Sequence, residues 1–386
     1  MPREAILRAV AERAPAMLQF LESVVNMDSP TEDKVLADKV GDMFQARAES
    51  VGLSATRDAQ ADFADNRICR HRAAGTGPRP RVLMVGHFDT VYEAGTVAHR
   101  PFRIDGDRAL GPGALDMKGG LTVGLFALEA LRAALGAIPL DVTFIFNSDE
   151  EVGSPCSRRI ILEEAGRHDL ALILEPGRPG PAVTIGRKGV GIFRIAIEGR
   201  EAHAGAEPEK GINSIVEAAH KILAIQALND PLAGTIVTPG VVHGGTKPYV
   251  VPGTTKLEVD CRVGSAAEQA RIEAAMATIT SSTAIAGTRS ALSGGFHRPP
   301  MEASEKSMAL VGRLRAIATE VGFPLGAAST GGASDGNLTA SAGTPTIDGL
   351  GVHGGRAHSP EEFIEIASLE AKCRVLACFL ADLAAA

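Results

Sequence analysis

Residues 141–154, DVTFIFNSDEEVGS, combine the pattern of a buried strand with a run of acidic residues. An apolar run ends in three consecutive carboxylates, Asp149, Glu150 and Glu151, and a Gly-Ser turn follows at once. Anions that crowd together beside low-dielectric protein repel one another and lose hydration, which costs stability unless a cation or a proton compensates. The stretch therefore predicts a buried strand whose carboxyl end requires positive charge from elsewhere.

The segments around this stretch alternate between strand and helix patterns. RPRVLMVGHFDT is a short apolar run that we expect to stop at Gly86, and LALILEP is another that ends at a proline. GGLTVGLFALEALRAALGA and SRRIILEEAG have apolar residues at helical spacing. Strand, helix, strand, helix, strand is typical of an α/β fold with a mostly parallel sheet flanked by helices.

A second region differs in its periodicity. Segments such as GIFRIAIEG and TTKLEVDCRV alternate apolar and polar residues, and the helical segments INSIVEAAHKILAIQ and AAEQARIEAAMATI lie between such strands. This pattern predicts a small half-exposed α+β domain. We expect it to be inserted at residues 189–297 of a larger, discontinuous catalytic domain formed by residues 1–188 and 298–386.

The composition is that of a globular enzyme and argues against nucleic-acid binding. Of the 386 residues 45% are hydrophobic and 22% charged, while aromatic residues make up only 4% and Trp is absent. Stacking surfaces for bases need aromatic side chains, and phosphate binding needs a basic face, whereas the formal charge here is −7.

The cysteines and the hydropathy indicate location. Five cysteines without CxxC spacing predict free thiols rather than a disulfide framework or a cysteine-type zinc site. The opening segment lacks a long apolar region, and no later apolar run approaches the length of a membrane span. We therefore expect a cytoplasmic protein that does not contact a membrane.

Acidic and histidine residues follow several of the predicted strands. Functional groups in open α/β sheets gather beyond the carboxyl ends of the strands, and two imidazoles with several carboxylates suit a divalent cation such as zinc. Asp89, two residues after His87, can accept the imidazole N–H and fix the metal-binding tautomer. The candidates are His87, Asp89, Asp116, Glu150, Glu151, Glu175 and His358.

These residues lie in motifs that occur in a fixed order along the chain. The motifs are GHFDTVY, GPGALDMKGG, FNSDEEVGS, LEPG, REAHAG and GGRAHSPEEF. Together with the inserted domain they make nearly the whole chain resemble the peptidase M20 family of metal-dependent amidohydrolases, most closely its carboxypeptidase G2 (glutamate carboxypeptidase) branch. The resemblance implies a zinc-peptidase-like catalytic domain and a ferredoxin-like inserted domain that serves as lid and dimer contact.

The resemblance also implies roles for individual residues. It implies two metal ions bridged by Asp116, one also bound by His87 and Glu175 and the other by Glu151 and His358. It implies that Glu150 is the general base and acid. It further implies that His203 reaches a substrate carbonyl, commonly in the partner subunit's site, and that Arg262, Gly331 and Gly332 match positions that hold a substrate carboxylate.

One position departs from the family pattern. Family members often have Asn before VVP or VIP in the inserted domain, as a substrate-recognition residue, whereas TKPYVVPG has Tyr249. A phenol cannot reproduce the paired donor and acceptor of an amide. This difference leaves the substrate open even where the hydrolytic chemistry is implied.

The leading hypothesis is a zinc-dependent amidohydrolase that cleaves a C–N bond next to a free carboxylate, first of all a C-terminal glutamate-type carboxypeptidase. An aminoacylase or N-deacylase, or a deaminating hydrolase of the same family, is the alternative, and a non-catalytic metal-binding protein is the alternative from another class. Manganese or cobalt could replace zinc, because carboxylate-rich sites discriminate poorly among these ions.

Other polar segments are interpreted as ordinary structure. We expect the acidic pairs Glu163-Glu164 and Glu361-Glu362 to be solvated starts or faces of helices. Arg187, in GRKG, could add cationic recognition, although an Arg and a Lys next to each other before a turn are more often solvated. Asp335, in the glycine-rich STGGASDGN, is either a turn residue or a partner of the site. That segment lacks the strand-to-helix phosphate signature, so nucleotide binding is not predicted.

Overall fold

The computed structural model describes residues 3–75 and 79–385 and divides the chain into two compact units. The first is formed by the chain up to Gly186 together with Ala303–Ser329 and the residues from Ser334 onward. The second is formed by Arg187–Glu302 with Thr330–Ala333. In the described residues, no helix combines the length and the apolar character that crossing a membrane requires.

The helices and strands follow in chain order. The α-helices are α1 (Arg3–Val25), α2 (Lys34–Val51), α3 (Thr96–His99), α4 (Gly119–Leu135), α5 (Arg158–Ala165), α6 (Ser214–Gln226), α7 (Ala266–Ser281), α8 (Glu305–Glu320), α9 (Asp335–Ser341) and α10 (Ile366–Leu383). The strands are β1 (Ser54–Asp58), β2 (Asn66–His71), β3 (Arg81–His87), β4 (Arg103–Asp105), β5 (Arg108–Leu110), β6 (Asp141–Asn147), β7 (Leu170–Ile173), β8 (Ala182–Arg187), β9 (Gly189–Glu198), β10 (Ala202–His203), β11 (Ile236–Gly244), β12 (Val250–Val251), β13 (Thr254–Val263), β14 (Arg289–Arg298), β15 (Gly326–Thr330), β16 (Thr346–Ile347), β17 (Gly354–Gly355) and β18 (Phe363–Glu365). Short helical turns cover Ala114–Lys118, Glu150–Val152 and Pro208–Lys210.

The first unit is built on a six-stranded sheet with the order β1-β2-β6-β3-β7-β16. β3 pairs in parallel with β6 and with β7, and β16 pairs in parallel with β7. The predicted α/β class with a mostly parallel sheet is confirmed. Because β6 and β7 flank β3 in the same direction, the carboxyl ends of these three strands meet at one edge.

Side-chain alternation along the strands explains why this sheet is covered on both faces. Val82 and Met84 pack into the core cluster that includes α1, α4 and α10, while Leu83 and Val85 pack into a second cluster with α5 and α9. Successive side chains of a strand point to opposite faces, so a strand buried on both faces is continuously apolar. This geometry is the physical basis of the apolar runs in the sequence.

Two details of the sheet differ from the sequence prediction. β1 and β2 form an antiparallel hairpin whose polar sequence, such as SATRD in β1, gives no apolar run. Gly86 does not stop β3, which continues to His87. A Cβ at Gly86 would lie 2.7 Å from side-chain atoms of Met117 and Leu121, so the glycine admits these side chains against the strand.

The second unit is an antiparallel sheet covered by two helices. Its order is β11-β13-β9-β14, with β9 and β13 paired over their whole lengths. α6 and α7 contribute to a core of alternating side chains such as Phe193, Ile195 and Ile197. β11 lies at an edge of this sheet.

Candidate metal centre

The carboxyl edge of the central sheet brings the predicted metal ligands of the first unit together. His87 ends β3, Glu150 and Glu151 lie in the turn after β6, and Glu175 follows β7. Asp116 lies in the helical turn before α4, and its peptide bond to Met117 is cis. These residues are distant in sequence, but the parallel strand order places them at one edge.

The backbone has two features that place Asp116 and His358 at this edge. α4 approaches β7 closely, since a Cβ at Gly120 would lie 1.9 Å from the carbonyl oxygen of Leu174. His358 has a φ of 61°, a conformation that residues with a Cβ rarely adopt. Such conformations persist only where surrounding contacts enforce them, and they are concentrated at functional sites.

The carboxylate of Asp116 lies between the two histidines. Its Oδ1 is 3.2 Å from Nε2 of His87, and its Oδ2 is 3.2 Å from Nε2 of His358. Nε2 of His87 is also 3.8 Å from Oε1 of Glu175, and Nε2 of His358 is 3.2 Å from Oε2 of Glu151. Asp116 is therefore common to two groups, one with His87 and Glu175 and the other with His358 and Glu151.

The donor set fits divalent cations. Ligand atoms of His87, Glu150 and Glu175 all lie within 4.8 Å of one another, and so do those of His87, Asp116 and Glu151. Imidazole and carboxylate ligands bound at about 2.0–2.2 Å from a shared zinc ion would have separations of this order. Oε1 of Glu151 is buried and has no hydrogen-bond partner among the described residues. A buried acceptor without a donor is costly, and the imidazole and carboxylate atoms around Glu151 make a cation the partner that fits here.

The pKa shifts point to the same need for positive charge. Burial by itself would lower the pKa of His87, but hydrogen bonds with Asp116 and Asp89 raise it well above the ordinary value. Hydrogen bonds with Asp116 and Glu151 raise the pKa of His358 to about 10. Burial raises the pKa of Glu151. The carboxylates around His87 and His358 thus favour the protonated imidazoles, and these imidazoles are proposed metal ligands.

Asp89 joins the ends of β3 and β6. Its Oδ2 accepts a hydrogen bond from the Thr31 hydroxyl at 2.8 Å, and its carboxylate accepts the backbone N–H groups of Glu150 and Glu151 at 3.4 and 3.3 Å. Nδ1 of His87 lies 3.0 Å from the backbone oxygen of Asp89 and 3.4 Å from its Oδ1. The backbone oxygen is thus the nearer acceptor for the imidazole N–H. With Nδ1 protonated, Nε2 is the ring nitrogen that would bind a cation.

The three consecutive carboxylates have separate environments. Oδ2 of Asp149 accepts the backbone N–H groups of Cys156 and Ser157 at 2.6 and 3.1 Å, so this residue closes the turn after β6. Burial raises the pKa of Asp149. Glu150 and Glu151 belong instead to the cluster with the histidines. The crowding of charge in the sequence therefore combines one structural carboxylate with two at the candidate site.

Two acidic residues that were predicted to be solvated are buried. Glu362 is 2% exposed and Glu164 is 3% exposed, so the prediction that both pairs are fully solvated was wrong for these members. Glu362 is buried by contacts with the turn that carries Asp116, a segment far from it in sequence. Its only sequence signal was its position in the same motif as His358.

Asp335 is a buried partner of the turn after Glu151. Its Oδ1 accepts the hydroxyl of Ser154 at 2.6 Å and its Oδ2 accepts the amide of Asn147 at 2.8 Å. Asp335 is also the first residue of α9, so these contacts join that helix to the turn after β6. Its role as a partner of the site stays a prediction. The residue therefore supports the segment that carries the two glutamates.

The remaining predicted residues lie in the second unit, where two of them are neighbours. β10 pairs with β12, so that His203 is opposite Val250, and Tyr249 directly precedes this strand. Both His203 and Tyr249 are exposed. Nδ1 of His203 accepts the backbone N–H groups of Gly205 and Ala206 at 3.1 and 3.0 Å.

The residues predicted to bind a substrate carboxylate also lie in the second unit. Arg262, on β13, donates from Nε to both oxygens of Asp260, at 3.2 and 3.0 Å. Gly331 and Gly332 are exposed, and a Cβ at either would meet no atom within 4 Å. Arg187 is 4% exposed and donates to the carbonyl of Gly332 at 3.3 Å, so the prediction that it is solvated was wrong.

Known proteins resemble this chain in sequence and in structure. The profile of peptidase family M20/M25/M40 matches residues 83–382. Carboxypeptidase G2 of Pseudomonas sp. (strain RS-16) is 31% identical across 98% of this chain and 92% of that protein. Acetylornithine deacetylase of Myxococcus xanthus is 31% identical across 66% of this chain and 68% of that protein. The crystal structure of aminopeptidase PepT from Bacillus cereus ATCC 10987 has a TM-score of 0.79 at 20% identity, covering 96% of this chain and 99% of that one, which shows a shared fold.

Proposed function

The chain belongs to peptidase family M20/M25/M40 and is a hydrolytic enzyme, and on that premise we propose that it cleaves an amide C–N bond next to a free carboxylate. A C-terminal glutamate-type carboxypeptidase is the first candidate. The observation that carries the proposal is the position of Asp116 between the imidazoles of His87 and His358, with Glu150 beside His87 and Glu175.

We assign two divalent ions to this cluster, with zinc as the first candidate and manganese or cobalt as alternatives. Asp116 would be shared, His87 and Glu175 would hold one ion, and Glu151 and His358 the other. Two imidazoles and three carboxylates satisfy the ligand preferences of these metals. Asp89 would keep the imidazole of His87 oriented, because the backbone oxygen of Asp89 is the nearer acceptor for the Nδ1–H of His87.

Bound ions would polarise the scissile carbonyl and lower the pKa of water at the site. Glu150 is the residue that we assign to proton transfer. It takes a proton from the attacking water and returns it to the leaving nitrogen, the two tasks of a general base and acid. Its backbone N–H donates to Asp89, which holds this turn against the end of β3.

His203 is suited to stabilise the substrate's carbonyl oxygen. Because its Nδ1 accepts two backbone N–H groups, the neutral imidazole carries its proton on Nε2. A fixed Nε2–H donor can bind an oxygen on which negative charge develops. By family resemblance, we place this donor in the site of the partner subunit.

For the substrate carboxylate we propose Arg262, Gly331 and Gly332. Arg262 offers a guanidinium group that is partly neutralised by Asp260, and the open backbone at the two glycines allows close approach of a ligand. Tyr249, 60% exposed, offers a hydroxyl beside the ribbon that carries His203. These contacts would select the carboxylate side of the amide.

A cavity in the first unit suits the acyl side of the substrate. Its volume is about 350 Å³, and Glu151 forms part of its wall. Exposed Val91 and Val152 give it an apolar surface, while Glu32 and Glu93 add negative charge. We expect apolar or cationic acyl groups to be preferred over anionic ones.

We further propose a homodimer formed through an inserted domain at residues 189–297. β11 is an edge strand of its sheet, and its Val241 and Val242 are 41% and 53% exposed. Leu223, on α6 of the same unit, is 71% exposed. Edges and apolar patches of this kind are commonly covered by a partner.

A cytoplasmic location stays a prediction.

The second candidate function is an N-deacylase or a deaminating hydrolase of the same family. The observation that favours it is Tyr249 in place of the usual Asn, together with the similarity to an acetylornithine deacetylase. Both candidates use the same cluster and differ in the group that is removed.

A substrate panel distinguishes these candidates. Zinc-loaded protein is assayed with folate-like and other N-acylglutamates, with N-acetyl amino acids and with carboxylate-bearing amines, and Glu150→Gln serves as the background. Turnover of acylglutamates supports the carboxypeptidase. If they are inert while N-acetyl amino acids or amines are hydrolysed, the deacylase or deaminase is supported and the first candidate fails.

A further inference from the structure

Glu362 is buried at the turn that carries the shared ligand Asp116. Its Oε1 accepts the backbone N–H groups of Leu115 and Asp116 at 2.8 and 3.0 Å. Its Oε2 accepts the backbone N–H of Gly113 at 3.2 Å and lies 2.7 Å from the hydroxyl of Tyr92. One side chain thus contacts three backbone amides of this turn.

The donors around Glu362 require a carboxylate at this position. Backbone N–H groups only donate, and an ionised carboxylate only accepts through both of its oxygens. An amide side chain of the same shape would direct an NH₂ group at one of these sets of donors. Glu362 therefore supplies the two acceptor oxygens that these backbone N–H groups need.

Glu362 also links Asp116 to the segment that contains His358. It follows His358 in the motif HSPEEF, and its backbone N–H donates to the carbonyl of Ser359 at 3.1 Å. The Tyr92 hydroxyl lies 2.9 Å from that same carbonyl oxygen. The turn of Asp116 and the segment of His358 are thus held by one connected set of hydrogen bonds.

We propose that Glu362 is a positioning residue that fixes Asp116 relative to His358 and so sets the affinity of the cluster for its metal ions. This inference rests on the proposed function of the cluster as a metal centre. A carboxylate that orders the backbone of a ligand acts as an outer-shell partner, and loss of such a partner typically lowers metal affinity about 10–100-fold.

The test compares Glu362→Gln with its neighbour. Glu361→Gln removes the same charge from a side chain that is 60% exposed, so it is the matched control. Tyr92→Phe removes a single hydroxyl and keeps the carboxylate, so it tests the same network should Glu362→Gln fail to fold. Zinc affinity is measured by competition with a chromogenic chelator, and the geometry of the site is followed by the absorption spectrum of the cobalt-loaded protein.

We expect Glu362→Gln to lower zinc affinity about 10–100-fold and to change the cobalt spectrum, with a smaller loss for Tyr92→Phe and none for Glu361→Gln. A merely structural residue would lower the melting temperature but leave the zinc affinity and cobalt spectrum of the folded protein as in the wild type. That result overturns the inference and leaves the proposed function intact. A wild-type protein that binds no metal would overturn the proposed function itself, and the inference with it.

Discussion

The two ends of the central sheet carry charged side chains in opposite states of compensation. At the amino ends of β3 and β6 a cavity of about 370 Å³ is lined mainly by charged groups, including Arg70, Arg81, Arg167 and Glu164. Oε1 of Glu164 lies 2.9 Å from Nη2 of Arg70 and 3.2 Å from Nη1 of Arg167. Oδ1 of Asp169 lies 2.7 Å from Nη2 of Arg81. Here the guanidinium groups have carboxylate partners within the protein.

At the carboxyl ends negative charge is in excess. The two imidazoles face more carboxylates than they can neutralise, and Oε1 of Glu151 has no partner among the described residues. A dense set of charges thus does not by itself indicate a ligand site. A buried excess of one sign does, because the fold alone cannot compensate it.

The largest effect is expected from Glu150→Gln at the carboxyl edge. Loss of the group that we propose for proton transfer should reduce turnover about 10²–10⁴-fold while the metal content stays the same. Turnover and metal content are measured on the same preparation, with Glu163→Gln, 42% exposed on α5, as the control. Unchanged turnover would show that the excess charge at this edge does not supply the base.

Glu151→Gln sharpens the contrast between metal binding and folding. It removes a proposed ligand, so zinc affinity should fall by at least the loss of about 10–100-fold that removal of an outer-shell partner typically causes. The metal-free protein should lose little stability, because a carboxylate in an excess of carboxylates is removed. Zinc titration and urea unfolding of the metal-free chain check the two statements. A large loss of stability with normal zinc affinity would mean that the residue is structural.

Lys372 extends the comparison to a buried cation. Its Nζ donates to the carbonyl of Gly349 at 2.9 Å, and burial lowers its pKa to about 7. Below pH 7 the folded protein carries the full cost of a buried charge, and this cost fades as the pH rises toward the ordinary pKa of 10.5. The stabilising effect of Lys372→Met should therefore be larger at pH 7 than at pH 10, by roughly 3 kcal/mol.

Urea unfolding of wild type and Lys372→Met at the two pH values tests this sign. Lys372→Met also loses the hydrogen bond to Gly349. This loss lowers the stability of the variant by the same amount at pH 7 and at pH 10, so it does not change the difference between the two pH values. A stability difference that is the same at pH 7 and pH 10 would show that Lys372 keeps its charge in the folded protein.

The smallest effect is expected from Glu164→Gln at the amino edge. The buried carboxylate is shared by two partly exposed arginines, so its replacement should cost about 1–2 kcal/mol of unfolding free energy. Zinc affinity and turnover should not change, in contrast to Glu151→Gln. Loss of zinc binding in this variant would remove the distinction between the two ends of the sheet.

The parts of the fold that could be predicted are those with a local signal. β3, β6 and β7 are buried on both faces and therefore appear as apolar runs, and α4 has a clear helical period. The β1-β2 hairpin has no such signal, because the burial of its strands is set by their neighbours in the sheet.

The candidate site was predictable where residues follow strand ends and was missed where burial comes from distant contacts. His87, Glu151 and Glu175 follow apolar runs, and the structure brings them together as strand order requires. Glu362 and its neighbour Glu361 are the same residue type in one motif, yet one is buried and the other exposed. The difference arises from the turn around Asp116, which no local pattern reports.

The most direct test of a metal centre at the carboxyl edge is the metal content of the wild-type chain, by elemental analysis after dialysis against dilute zinc and then against metal-free buffer. We predict about two ions per chain, the number at which each histidine of the cluster binds one ion and Asp116 is shared. Folded protein that retains no metal under these conditions would contradict the account, and the carboxylates that follow β6 would then lack their compensating charge.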